Sequence, residues 1–434
     1  MIWLAAGHYC RASAVVTLGY QPTEGYDISL IATQDGTDPI ETVAVSVSGG
    51  AYSLTMPAAD VTVTPGVVLN IAADSWYALA SPMHDEGQTY QSIPHVIGMT
   101  SGSYDLFYFD ESTGTWINQK TSGTGFDILQ RGRGYIYRRA SASLLSFIGP
   151  ANAGAYSVDL TASCADEALQ GFNLIGNPYP HSITLNRPYY TLQPNGTWLA
   201  HNIGTLAVGQ AAIVHTGTAS TLAFADALST PAAKSDEVKT IAFTLTGGNY
   251  EDMAFALLAD GDQLPKMAHL NASSPRLSIG DYAVKTLSVG TQSFSLSAYG
   301  IGEYSLLVSP TGSMKYLHLI DNLTGNDIDL LRESSYSFRL TGSDAERFTV
   351  RLMPEGSDAP FAYVSAGSVV VQGSGTLQVF DVMGRLLFTQ EMGGGKQPST
   401  FDTQLLPGAG VYILRRKPFR AIPLNSNSLF SIIL

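Results

Sequence analysis

The stretch from Asp381 to Arg415 reads DVMGRLLFTQEMGGGKQPSTFDTQLLPGAGVYILR. An alternating strand carrying Val379, Asp381 and Met383 runs into Gly384-Arg385, and a second strand follows from Leu386 to Glu391. A glycine-rich linker leads to Leu405-Leu406-Pro407-Gly408, and Gly410-Val411-Tyr412-Ile413-Leu414 closes the unit. Alternation with period two, broken at glycine, specifies paired strands with one face buried.

The same pattern extends through the rest of the chain. Short alternating runs are punctuated by Gly, Pro, Asn and Asp, and in the middle of the chain they recur about every ten residues, the rhythm of a sandwich or barrel. YDLFYFDESTGTWINQ, residues 104–119, reads as two strands joined by a turn at Glu111-Ser112-Thr113-Gly114. Only Cys164 to Gln170 has helical character. The chain is therefore predicted to be all-β, built of tandem β-sandwich modules of immunoglobulin-like or jelly-roll-like type. Its 434 residues allow several domains. The expected units are a partial β-repeat at 1–66, sandwiches at 67–230 and 237–354, and a terminal sandwich at 361–434. Linkers are expected at Ser229–Glu237 and Pro354–Pro360.

The Asp-x-x-Gly-Arg hairpin at Asp381–Arg385 and the Gly-Val-Tyr-Ile-Leu strand at Gly410–Leu414 resemble the C-terminal sorting domain of proteins exported by the type IX secretion system of Bacteroidetes. The resemblance implies an extracellular or outer-membrane surface location, with the secretion machinery as partner of the tail. It also implies a signal peptide. MIWLAAGHYC has no basic leader and too short an apolar run, so Met1 is expected to lie inside a longer product. After Arg415 the sequence departs from the family's closing strand. The last sheet is therefore expected to keep an unpaired edge and to export a passenger poorly. Tyr52–Val63, YSLTMPAADVTV, is similar to the end of a small repeat of bacterial surface proteins. Trp76, Trp116, Gly132-x-Gly134-Tyr135 and GNPYP at 176–180 resemble a β-module that often precedes such sorting domains. Tyr316–Leu331, Tyr336-Ser337-Phe338 and Arg347-Phe348 resemble a second sandwich from the same class of proteins.

Composition narrows the function. Only 14% of residues are charged, against an ordinary share of about 25%. With a net charge of −13, the chain lacks the cationic excess that a phosphate-binding surface needs, so nucleic acid is not expected as a partner. Arg131, Arg133, Arg138 and Arg139 read as the solvent face of a hairpin. No run approaches the roughly 18 apolar residues of a membrane helix, so no membrane span is expected. Cys10 and Cys164 have no metal or redox spacing; an oxidising compartment would allow a disulfide between them, but two unpaired thiols is the favoured reading.

Few residues suggest chemistry. Ser81, His84, Asp85 and Glu86 crowd SPMHDEG, but no nucleophile elbow or comparable motif supports a hydrolase. His84, His95 and Asp85 lack metal-site spacing. Asp321, Asn322, Asn326, Asp327 and Asp329 crowd a turn; Asp321, Asp327 and Asp329 are the weak calcium candidates, because oxygen-rich loops can hold that ion. No cofactor is implied. The aromatics of the second unit, chiefly Trp76, Tyr104, Tyr108, Trp116 and Tyr135, are candidates to stack on a glycan, although core packing is the ordinary role of such residues. The expected function is a non-enzymatic surface protein for display, adhesion or binding of a glycan or host surface ligand. The alternative is an accessory C-terminal fragment of a secreted peptidase or glycosidase whose catalytic domain lies upstream.

Overall fold

The structure is a computed structural model. It describes residues 12–18, 27–37, 40–48, 51–99, 103–121, 123–226, 240–288, 291–354, 362–365, 368–371, 375–392, 399–408, 410–417 and 428–433. Cys10 with the whole start MIWLAAGHYC, and the expected linkers at 229–237 and 355–360, lie outside the described residues. The fold is all-β. Among the described residues the helical elements are two single 3-10 turns, Ile93–His95 and Thr403–Leu405. Cys164 to Gln170, expected to be briefly helical, forms bends and turns instead. Among the described residues no helix is long and apolar enough to cross a membrane.

In the first unit, Leu18, Leu30, Ala32, Tyr52 and Leu54 form a small core. Its last strand, Val61–Ile71, runs across the 66/67 division without a break. The first half pairs with Ser29–Gln34 and the second half with Ser143–Ile148. One long strand thus ties the first unit to the second.

The second unit contains one strand plan twice. In the first copy, a four-stranded sheet has the order Thr115–Asn118, Tyr104–Asp110, Tyr135–Arg139, Ser75–Leu79. In the second copy, the order is Trp198–His201, Tyr189–Leu192, Ala211–His215, Phe172–Gly176. Each copy adds a short pair, Tyr90–Ser92 with Ile128–Gln130 and Ile183–Leu185 with Gly204–Leu206. Each also joins its first and last strands, Val61–Ile71 with Ser143–Ile148 and Tyr156–Leu160 with Ser220–Phe224. The sequence trace of this plan is Gly114-Thr115-Trp116 matched by Gly196-Thr197-Trp198.

The copies meet reciprocally. Leu79 bridges Gln210, and Arg133 bridges Ile175. Leu79 and Ile175 hold matching places, opposite Tyr135 and Ala212 respectively. The Ala80 N–H donates to the Gly209 carbonyl at 2.9 Å, and the Gly176 N–H donates to the Gly132 carbonyl at 2.9 Å. This is the self-complementary contact expected of a two-fold arrangement. Its closeness requires glycine: a Cβ at Gly176 would stand 2.3 Å from the Cβ of Ala80.

The third unit is one large sheet closing over a core that includes Phe243, Leu277, Leu306, Leu319, Phe348 and Val350. Phe255 and Leu257, on the strand Tyr250–Leu257, face another way. With Leu264, Met267, Ala283 and Val284 they share a core with Tyr190, Trp198 and Ile213 of the second copy and Ala78 and Ile136 of the first. The second and third units are therefore packed through common apolar side chains.

The terminal unit pairs a three-stranded sheet with a four-stranded one over Val369, Leu377, Val379, Phe401 and Leu414. The expectation of an unpaired last edge is corrected here. Ser428–Ile433 pairs antiparallel with Val411–Lys417, with Tyr412 opposite Ile432. A strand can close a sheet by backbone hydrogen bonds without matching a family sequence. The strand expected to carry Met383 ends at Asp381. Asp381 Oδ1 accepts the N–H groups of Met383 at 3.0 Å and Arg385 at 2.9 Å, and Oδ2 accepts Arg385 Nε at 3.1 Å. Gly384 takes a φ of 79° in the same turn. Turn geometry alone therefore accounts for the Asp, the Gly and the Arg of this motif.

Candidate functional site

The first-copy sheet has two aromatic faces, because alternate residues of each strand point to opposite sides. Tyr104, Leu106, Tyr135 and Tyr137 point inward to the core of that copy. Tyr104 stacks on Tyr137 with ring centroids 5.5 Å apart. Tyr108 is half-buried on the same side, against Phe126 and beneath the Arg133 guanidinium. Burial pushes the Tyr135 hydroxyl up to about 12, and that hydroxyl accepts the Gln130 N–H at 2.8 Å. Tyr104 and Tyr135 are thus core residues.

Trp76, Phe107, Phe109 and Trp116 occupy the opposite face, half-buried at the margin of the core shared with the third unit. Trp76 lies near Gly196, with Arg138 over its ring at 5.6 Å and Asp74 paired to Arg138 at 3.5 Å. Trp116 stands opposite Phe109, with ring centroids 5.1 Å apart, and Phe107 stands opposite Asn118. The five aromatics chosen from sequence therefore do not form one platform. They divide between a core (Tyr104, Tyr135), its edge (Tyr108), a junction (Trp76) and a partly open patch (Trp116). Phe107 and Phe109 complete that patch. The alternation Leu106-Phe107-Tyr108-Phe109 was the signal that could have placed them together.

The second copy gives the patch its meaning. Trp198 stands opposite Leu192, as Trp116 stands opposite Phe109. Tyr190 stands opposite Ala200, as Phe107 stands opposite Asn118. Trp198, Leu192, Tyr190 and Ala200 are all buried, beneath the third unit. Their first-copy counterparts are only partly buried. Where the second copy has Ala200, the patch has Asn118. The Asn118 Oδ1 accepts the Lys120 N–H at 2.8 Å, and its amide nitrogen has no protein partner among the described residues. The rim carries Asp105, 3.8 Å from Lys120.

Beside the patch, buried Glu111 organises the segment 161–171. It accepts N–H groups from Ser163 at 2.8 Å, Cys164 at 3.0 Å and Gly171 at 2.9 Å. Burial pushes its carboxyl up, but these donors outweigh that and hold it at about 2. Buried Cys164 is free, as is consistent with an unpaired thiol.

The other candidates have structural partners. Asp321 makes a two-point ion pair with buried Arg347, Nε to Oδ1 at 3.2 Å and Nη2 to Oδ2 at 3.0 Å, and accepts the Tyr336 hydroxyl at 3.0 Å. Burial opposes its charge, yet the Arg347 hydrogen bonds outweigh this and lower its pKa. Asp327 contacts His318 at 2.6 Å, and Asp329 contacts Arg332 at 3.4 Å. The three calcium candidates thus each face other side chains, Arg347, His318 and Arg332, and no group of three metal-ligating side chains occurs among the described residues.

Asp85 gathers Gln91 Nε2 at 2.6 Å, the Ser92 N–H at 2.8 Å, the Ser92 hydroxyl, and His95 Nδ1 at 3.0 Å. Its pKa is lowered: burial opposes this, but the Ser92 and His95 bonds prevail. Ser92 and His95 both bind this carboxylate. A hydrolytic relay instead needs the hydroxyl on the far nitrogen of the imidazole. Ser81 is buried and donates to the Met83 carbonyl at 2.9 Å; His84 Nδ1 lies 2.8 Å from the Asp85 carbonyl.

The four arginines are more engaged than a solvent face requires. Arg131 lies over Tyr156 at 4.5 Å and donates to the Ala153 and Gly154 carbonyls. Arg139 donates to the Gly98 carbonyl at 2.9 Å. They cover aromatic rings and tie loops, a use of guanidinium that alternation alone does not reveal.

No family model matches the chain, and no curated protein matches it significantly in sequence.

Proposed function

We propose that this is a non-enzymatic, extracellular or cell-surface β-modular protein that binds a glycan through the Phe107, Phe109 and Trp116 patch. The observation that carries this reading is the difference between the two copies. The same strand positions are buried in the second copy and only partly buried in the first, where an Asn with a spare amide replaces Ala. Aromatic rings offer flat apolar faces to the C–H faces of a pyranose, while neighbouring amides and charges orient its hydroxyls. Asn118, Asp105 and Lys120 supply that polar margin. The buried carboxylates are consumed by structural hydrogen bonds, which favours binding over catalysis.

The test is a glycan array probed with the intact chain, then with Trp116→Ala and Asn118→Ala. The reading expects one glycan class to bind, and both substitutions to weaken it at least tenfold without loss of fold. Binding that survives both, or binding to no glycan, would overturn it. The tail, by its resemblance, serves export by the type IX machinery. Residues 354–434 fused behind a signal peptide should deliver a reporter to the surface of a host with that system. Removing 428–434 should lower delivery, since it would bare the edge of Val411–Lys417.

A further inference from the structure

We propose that Lys266 and Asp252 become joined by an intramolecular amide bond when the protein folds. Asp252 sits in the strand Tyr250–Leu257, opposite Leu245, and Lys266 follows the short strand Leu264–Pro265. Their side chains are 0% and 2% exposed, and Lys266 Nζ contacts Asp252 Oδ2 directly. An ammonium group has three N–H donors. Among the described residues, this one has a single acceptor, Asp252. Two donors therefore remain buried without partners, a costly arrangement for a charge. Burial lowers the Lys266 pKa. Burial opposes the Asp252 charge too, but Lys266 and His269 outweigh it and hold that carboxyl below its usual range. The ion pair is therefore the resting form, and proton transfer within it gives the neutral amine and neutral acid as the reactive state.

The surroundings hold the acid in place for attack. Met253 N–H donates to Oδ1 at 2.9 Å, and Leu277 N–H donates to Oδ2 at 2.6 Å. His269 Nδ1 accepts the Trp198 N–H at 3.0 Å, so its proton resides on Nε2, which lies 3.0 Å from the Pro275 carbonyl and 3.7 Å from Asp252 Oδ2. After proton transfer from Nζ to Oδ2, the Nζ lone pair attacks Cγ. Oδ1 carries the negative charge of the tetrahedral stage beside the Met253 N–H. A second proton passes from Nζ to Oδ2, the Cγ–Oδ2 bond breaks, and one water leaves. One C–N bond replaces one C–O bond, with no oxidation or reduction.

The bond would lie beneath the joint between the second copy and the third unit. The segment after Lys266 carries Leu270, whose N–H donates to the Gly196 carbonyl at 3.0 Å, and Ser274, 2.7 Å from the Thr197 hydroxyl. An amide at Lys266 would anchor that segment covalently to the strand that carries Asp252.

The test is the mass of the folded wild-type protein. The proposal expects it to be one water lighter than its sequence mass, with digestion releasing a branched peptide that joins Asp252 to Lys266. Protein held in denaturant from synthesis onward, and the Lys266→Met and Asp252→Ala variants, should keep the full sequence mass. Folded wild-type protein at full mass, yielding the two peptides separately, would overturn the proposal. That outcome does not depend on whether either variant folds.

Discussion

Trp116 and Trp198 begin from the same three residues, Gly-Thr-Trp, and end in different surroundings. Both sit on the outermost strand of a four-stranded sheet, opposite an apolar residue of the next strand. The third unit closes fully over Trp198, while Trp116 is only partly buried at the margin of the same core. The difference arises from the neighbour, since the local strand plan is the same. One duplicated scaffold thus has one face closed by domain packing and the equivalent face left partly open.

Substitution should separate the two faces first by stability. Trp198→Ala should cost about 3–5 kcal/mol, since it empties a closed site. Trp116→Ala should cost less, about 1–2 kcal/mol, because its ring is only partly buried. Urea unfolding of both variants checks this, and similar losses would break the comparison.

The second copy should also be the more acid-sensitive. His201 stacks on Tyr189 at 4.8 Å and lies 2.8 Å from Thr191 Oγ1. Burial lowers its pKa to about 4. The unfolded chain binds this proton near pH 6.5 and the folded chain does not, so stability falls as pH drops from about 6.5 to 4, by about 1–3 kcal/mol. His201→Gln should flatten that window in thermal melts across pH. An unchanged slope would place the sensitivity elsewhere.

Glu111 is the matching lever for the first copy. Its pKa is depressed, so its contribution is present above about pH 4.5 and is lost as pH falls towards about 2. Glu111→Gln should cost about 1–3 kcal/mol at neutral pH, because it replaces a charged acceptor of several N–H groups. Hydrogen exchange at Ser163, Cys164 and Gly171 should rise in this variant. Unchanged exchange there would remove Glu111 as the organiser of that segment.

What the sequence made legible was local. The Asp381–Arg385 turn could be read because Asp, Gly and Arg act within five residues of one another. The all-β class could be read because alternation and turn residues are local as well. Trp116 and Trp198 could not be told apart, since alternation says which face a residue occupies and nothing of what packs on it. The duplication left few traces, among them Gly-Thr-Trp and the matched Gly132 and Gly209, because inward positions were refilled by residues of other sizes, such as Tyr135 against Ala212. The strand Ser428–Ile433 was missed because backbone pairing does not require a family pattern. Asp252, Lys266 and His269 have no motif spacing; only folding of the third unit brings them together.

Oxidative footprinting of tryptophan in the intact protein, read by mass spectrometry, tests the difference between the copies most directly. Trp116 should be modified readily in the folded chain and protected by the bound glycan, while Trp198 stays unmodified until the protein unfolds. Equal modification of Trp116 and Trp198 in the folded protein, or modification of Trp198 alone, would contradict the account.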